Sequence, residues 1–186
     1  MNKSKPDLET LQRGLVDLLV SSRRITSQPV ADAFLNVPRH IFVPEAEIQT
    51  VYSDVVIATK SDADGYAISS SSQPSIMALM LEQLRIEPGM RVLEIGAGTG
   101  YNAALMAHIV GETGSVATVD IELDLVLKAR QHLAEAEVKN VRVIHADGYQ
   151  GYEDLAPYDR VILTVSPWDI SPAWIEQLKP DGLLVA

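Results

Sequence analysis

The stretch Arg91–Tyr101 reads R-V-L-E-I-G-A-G-T-G-Y, and its reading decides the fold. Val92, Leu93 and Ile95 form a short apolar run, the pattern of a strand buried on both faces. Glu94 sets a carboxylate inside that run. Gly96, Gly98 and Gly100 follow at alternate positions, and Asn102–Val110 is compatible with a helix. A strand that ends in a glycine turn and opens a helix lets backbone press against a nucleotide-like ligand. The spacing is G-x-G-x-G. A dinucleotide fingerprint, G-x-G-x-x-G, would need its third glycine where Tyr101 stands.

Outward from this turn, β and α alternate. Ser115–Asp120, Val141–Ala146 and Asp159–Val165 read as strands, and Leu123–Glu135 as a helix with Leu127, Ala129, Arg130 and Leu133 on it. Ser171-Pro172 opens a short helix to about Leu178, Lys179–Gly182 reads as a turn, and Leu183–Ala186 as the start of a strand. Such alternation predicts an α/β fold with a doubly wound, mainly parallel, Rossmann-like sheet and right-handed crossovers.

Toward the N-terminus the pattern changes. Asp7–Ser22 carries Leu8, Leu11, Leu15, Leu18 and Leu19 at helical spacing. Ser27-Gln28-Pro29 reads as the start of a helix to about Asn36, which Pro38 stops. Val37–Pro44 and Tyr52-Ser53-Asp54 suggest an ordered connection. Val55–Thr59 reads as a short strand, Lys60–Tyr66 as a loop, and Ser69–Ser72 as polar chain ahead of a helix from Pro74 to about Leu84, with Ser72 or Gln73 as its cap. The expected division is a helical extension with a polar loop over residues 1–73 and the sheet domain over 74–186, in one compact unit.

Composition narrows the class. At 186 residues, 47% hydrophobic and 22% charged, the chain suits one soluble domain with a sizeable core. Cysteine is absent, so disulfides and thiolate metal sites are excluded, and no metal is expected. Met1–Glu9 is polar and no run approaches a membrane span, which points to a cytoplasmic protein without a membrane partner. The formal net charge of -10 argues against a nucleic-acid partner. Oligomeric state is not legible.

The glycine turn, with an acid two residues ahead of it, resembles motif I of the class I S-adenosylmethionine (SAM) methyltransferases. The resemblance implies SAM as cofactor. Glu94 then faces the ammonium of the methionine part, directly or through water. Asp120 stands where a ribose-binding acid is expected, and Asp147-Gly148 resembles the adenine-contacting pair. The implied cofactor set is Glu94, Gly96, Ala97, Gly98, Gly100, Asp120, Ile121, Asp147, Gly148 and Thr164. A structural glycine turn with surface acids is the competing reading; acids at the ends of three successive strands tell against it.

The resemblance goes further. V-P-R-H-I-F-V-P at Val37–Pro44, Tyr52-x-Asp54, I-S…Q-P, the glycine motif, A-D-G and L-A-P-Y-D-R-V-I-L-T are similar to the protein-L-isoaspartate O-methyltransferase family, from about Val30 to the C-terminus. This implies methyl transfer from SAM to a carboxylate of a peptide or protein. A complete class I sheet would normally add two more strands, so the C-terminal strands are expected to be missing and the chain truncated. A second departure lies at Ile57–Gln73, I-A-T-K-S-D-A-D-G-Y-A-I-S-S-S-S-Q. Typical members carry a shorter I-G-x-G-Q-T segment there, and the segment frames the acceptor. The serine-rich form also looks like members that methylate an aspartate of a dedicated modified peptide.

An ionised carboxylate needs orientation more than a base, since its ordinary pKa is about 4. Ser70, Ser71 and Ser72 are the candidates, and the family pattern favours Ser72. A capped helix behind a flexible polar loop is the alternative reading of the serines. His40, His108, His132 and His145 read as structural or surface residues, and Trp168 and Trp174 as packing residues. Thr164 and Ser166 follow the fourth strand, at the edge where the acceptor would enter. A tRNA methyltransferase and a non-catalytic SAM-binding protein are the remaining readings.

Overall fold

A computed structural model describes residues 7–186; Met1–Pro6, part of the polar stretch Met1–Glu9 read above, lie outside the described residues. The chain opens with helices α1 (Leu8–Ser21), α2 (Gln28–Asn36) and α3 (Ile48–Val51). A hairpin follows, strands β1 (Ile57–Ser61) and β2 (Ala67–Ser71), and then helix α4 (Pro74–Leu84). The alternating part is β3 (Arg91–Ile95), α5 (Tyr101–Val110), β4 (Ser115–Asp120), α6 (Leu123–Glu135), β5 (Val141–His145), β6 (Tyr158–Leu163), α7 (Pro172–Glu176) and β7 (Leu178–Val185).

Five strands form a parallel sheet in the order β5-β4-β3-β6-β7. β3 is central: Val92 pairs with Val116 on one side and Arg160 on the other, and Ile95 with Val119 and Leu163. That position explains its unbroken apolar run, because both faces are covered. The chain runs outward from β3 to β5, then returns to place β6 on the opposite side of β3. The direction of winding therefore reverses between β3 and β6, and a ligand crevice opens at the carboxyl ends of such strands.

Alternation along the strands sorts two cores. Val92 and Val116 face a large cluster with Leu19, Phe34, Phe42, Leu81, Leu105 and Val126, so the N-terminal helices share one core with α5 and α6. Leu93, Ile95, Val119 and Val161 face a smaller cluster closed by Trp174 of α7. In α1 the buried stripe is Leu15, Val16 and Leu19, while Leu18 is half exposed. The start of α2 is held from outside: Glu82 of α4 accepts from the backbone N–H and hydroxyl of both Thr26 and Ser27. Gln12 donates to Phe34 O and Val37 O, tying α1 to the end of α2.

Three readings of the sequence are corrected. Lys60 and Ser61 belong to β1, and the expected loop shrinks to a tight connection at Asp62–Tyr66. There Asp62 Oδ1 accepts from the N–H groups of Asp64 and Tyr66, and Gly65 has a φ of +87°. Ser69–Ser71 lie in β2, which pairs Ile57 with Ser71 and Ala58 with Ser70, so these three serines are on a strand and not on a flexible loop, and Ser72 follows its end. Lys179–Gly182, read as a turn, lies inside β7. Pairing continues from Tyr158–Leu178 to Arg160–Leu183, with the extra residues forming a bulge. Lys179 Nζ holds that bulge to Asp159 Oδ1 at 2.6 Å. Among the described residues no helix is long and apolar enough to cross a membrane.

Candidate active site

A cavity of about 440 Å³ opens at the carboxyl ends of β3, β4 and β6. Its floor is Glu94 and the turn Gly96–Thr99, one wall is Asp120–Glu122, another Thr164–Ser166, and the hairpin residues Ala67–Ser72 close over it.

The turn is shaped by close approaches. Gly96 has a φ of +101°, and a Cβ there would lie 2.5 Å from Val165 Cγ1 and 2.8 Å from Thr164 Oγ1. Only a bare backbone fits under the exit of β6. Gly100 caps α5 at a φ of +87°, and a Cβ on it would stand 3.4 Å from Ala129 and Leu133 of α6. Asp120 then locks two loops: Oδ2 accepts from Gly98 N at 3.0 Å and Oδ1 from Glu122 N at 3.0 Å.

Glu94 is 1% exposed. Its oxygens accept from Thr118 Oγ1 at 2.6 Å and Asn102 Nδ2 at 2.7 Å. Burial pushes its pKa up to about 7, against the pull of those two hydrogen bonds and with a further push from the Asp120 charge. Asn102 Oδ1, the other end of that amide, is buried and without a hydrogen-bond partner among the described residues.

The expected residues do not all meet. Glu94, Gly96, Ala97, Gly98, Asp120, Ile121 and Thr164 line the cavity, and Gly100 supports the turn. The Thr164 hydroxyl is engaged with the carbonyls of Ile95 and Gly96, so it clamps the turn. Asp147 and Gly148 stand outside the lining. Asp147 caps its own short turn by accepting from Tyr149 N, and Gly148 is pressed on Ile95 and accepts from Trp174 Nε1. Trp174 packs as expected, but Trp168 is fully exposed and does not. None of the four histidines lines the cavity; His132 pairs with Thr99 O and His40 with the Tyr52 hydroxyl. Among the described residues no cluster of side chains could hold a metal ion.

A protein-family model described as Protein-L-isoaspartate(D-aspartate) O-methyltransferase matches residues 10–186. The chain belongs to this family. It is 39% identical over 160 residues to the protein-L-isoaspartate O-methyltransferase of Thermotoga maritima, covering 86% of this chain and 50% of that protein. A solved protein-L-isoaspartate O-methyltransferase matches with a TM-score of 0.86 at 37% identity, over 93% of this chain and 54% of that one. A putative member from Plasmodium falciparum, solved in complex with S-adenosyl-L-homocysteine, matches with a TM-score of 0.79 at 22% identity, over 97% and 83%. The chain thus spans about half the length of the first two.

In this isoaspartyl methyltransferase family member, the segment between Asp54 and Pro74 is built around two contacts that local sequence did not announce. Asp54 caps α4: Oδ1 accepts from Ser75 N at 2.8 Å and Oδ2 from Gln73 Nε2 at 3.1 Å. Gln73 occupies the N-cap position, yet neither it nor Ser72 caps with its side chain. The serine hydroxyls are therefore not spent on the helix. The second contact is Lys60, whose Nζ reaches Glu122 at 2.7 Å and Asp124 at 2.8 Å, clasping β1 to the start of α6. Those partners raise the Lys60 pKa.

Proposed function

We propose that this chain binds SAM in the cavity and transfers its methyl group to a carboxylate of a protein or peptide, of the isoaspartyl kind for which its family is named. One observation carries the proposal. The cavity joins two unlike walls: a floor and side bearing Glu94 and Asp120, suited to a cationic cofactor with a ribose, and a neutral wall of Ser70, Ser71 and Ser72, suited to an anion. The S-adenosyl-L-homocysteine bound by the Plasmodium neighbour supports the first half. Two cationic groups, a sulfonium and an ammonium, would meet the acidic side. The ammonium would find Asn102 Oδ1 unpaired and the Glu94 carboxylate behind it.

The reaction forms an O–CH3 bond as the S–CH3 bond breaks. The carboxylate and the sulfonium become a neutral ester and a neutral thioether, so no proton is moved. That agrees with a cavity that no histidine lines. The protein's part is to align carboxylate oxygen, methyl carbon and sulfur, which is worth about 7–11 kcal/mol in well-oriented systems, and to keep water away. Ser72 is half-buried in the cavity wall, and its hydroxyl has no protein partner among the described hydrogen bonds. Its hydroxyl is free to meet the acceptor.

Methylation with labelled SAM of an isoaspartyl peptide, the matching aspartyl peptide and tRNA tests the proposal. Label should enter the isoaspartyl peptide as a base-labile ester; label only in tRNA, or in nothing, would overturn it. The serine strand favours a second reading, an aspartate of a dedicated peptide, which label in the aspartyl peptide alone would support. Ser72→Ala should slow transfer by ten-fold or more while leaving S-adenosyl-L-homocysteine affinity within a few-fold. Asp120→Ala should do the reverse, weakening cofactor binding by roughly 10- to 150-fold, since a hydrogen bond to a charged group is worth about 1.5–3 kcal/mol. Unchanged affinity by calorimetry would remove Asp120 from the site.

A further inference from the structure

Arg39 is 0% exposed, yet it forms no ion pair among the described residues. Its Nη1 donates to Val51 O at 2.9 Å and Ser53 O at 3.3 Å. Its Nη2 donates to Val55 O and Ser71 Oγ at 3.3 Å each, and to Ser72 O at 3.0 Å. Tyr101 lies under it, with the guanidinium carbon 5.9 Å from the ring centroid. Asp54 is the acid whose charge it feels, but both Asp54 oxygens are given to Ser75 and Gln73. Nε has no partner.

A buried ion without a bonded counter-ion is costly unless something offsets it. Backbone carbonyls do not require a cation; a neutral donor satisfies them equally. The cation sits one hydrogen bond behind Ser71, whose side chain is buried and lines the cavity. Because Ser71 Oγ accepts from Arg39, its own hydrogen is left to donate. A hydroxyl polarised by a cation donates more strongly.

We propose that Arg39 is a positioning residue for the acceptor, acting through Ser71 to present a polarised hydroxyl and a positive potential to the acceptor carboxylate. This rests on the carboxyl-methyltransferase reading above and deepens it. The arrangement has a chemical logic. A cation bonded directly to the carboxylate would hold its charge in place and oppose methyl transfer, in which that charge disappears. Set one serine away, the same cation draws and orients an anion while leaving an oxygen free to attack. The carboxylate supplies the counter-charge that the fold withholds from Arg39.

The test is a ratio. Binding of an isoaspartyl peptide and of the same peptide with the free α-carboxyl of that residue as the amide is measured with S-adenosyl-L-homocysteine present. The wild type should prefer the acid by ten-fold or more. Arg39→Gln, which keeps side-chain donors without charge, should bring the ratio near one and leave cofactor affinity within a few-fold. Arg39→Lys should keep part of the preference. Ser71→Ala leaves every Arg39 carbonyl contact in place and carries the test should Arg39→Gln not fold; it should lower the ratio several-fold. A loss of packing alone would weaken acid and amide equally. An acid preference that survives in Ser71→Ala and in any folded Arg39→Gln overturns the assignment of Arg39 while leaving the function intact. A wild type that binds cofactor but shows no acid preference overturns both.

Discussion

Gly96→Ala should lower the thermal midpoint by at least about 4 °C and remove measurable binding of S-adenosyl-L-homocysteine. Two independent costs meet at this residue. Its φ of +101° is one that L side chains rarely adopt, and holding one there costs on the order of 1–3 kcal/mol. The new Cβ would also stand 2.5 Å from Val165 Cγ1 and 2.8 Å from Thr164 Oγ1. Val165 can turn away, but the Thr164 hydroxyl is bonded to the carbonyls of Ile95 and Gly96 and cannot leave without freeing them. Overpacking of this kind costs about 1–3 kcal/mol, and for a domain of this size each kcal/mol moves the midpoint by about 2–4 °C. The relief open to the chain is to shift the turn or the exit of β6, which are two walls of one cavity. Gly98→Ala is the control. Its φ is +50°, in the left-handed region that other residues visit at modest cost, and the nearest atom to a Cβ is Ser70 O at 3.7 Å. Scanning calorimetry and titration of the two variants decide the matter. Equal midpoints for Gly96→Ala and the wild type would show that the turn is not constrained as described.

The contrast between those glycines shows what the sequence could carry. The sheet was legible because its signals are local: an apolar run, a glycine turn and a helix recur within a few tens of residues, and strand ends put Glu94 and Asp120 at one edge. The hairpin was not. β2 has Ile68 as its one large apolar side chain, and that residue is exposed, so no alternation marks the strand. Its position is fixed by Lys60 reaching Glu122 and Asp124, more than sixty residues away in the chain. Arg39 and Asp54 were visible within motifs, but side chains whose partners lie on other segments, five for Arg39 and two for Asp54, have no local period to betray them. Asp147 shows a different kind of limit. An acid at a strand end reads as a ligand residue, yet here it caps its own turn, a use that the same letters permit. Lys179–Gly182 held turn residues, but a bulge inside a paired strand uses them as readily.

Binding of the cofactor should release a proton, and its affinity should rise by roughly ten-fold between pH 5.5 and 7.5. The group responsible is Glu94. Desolvation lifts its pKa from 4.5 to about 7 in the folded protein. A carboxyl whose folded pKa is raised stabilises the fold below its unfolded pKa, and that contribution is lost as pH rises through the folded value. From about pH 4.5 to 7 the cofactor-free protein therefore loses about 3 kcal/mol through this one residue. A bound ammonium changes the balance. Placed near Asn102 and Glu94 it favours the ionised form, so the ligand draws the Glu94 pKa down and expels the proton that the empty site holds below pH 7. Glu94→Gln isolates the effect from every other titrating carboxyl. Its side chain has the same shape and can still meet Thr118 and Asn102, but it cannot ionise. The variant should bind S-adenosyl-L-homocysteine with an affinity that no longer climbs with pH, and its midpoint should rise relative to the wild type as pH goes from 5 to 8. Titration calorimetry in two buffers of different ionisation enthalpy reads the proton directly at pH 6.5. A wild type that releases none, with an affinity as flat in pH as that of the variant, would mean that Glu94 is already ionised in the empty site and that Thr118 and Asn102 overcome its burial.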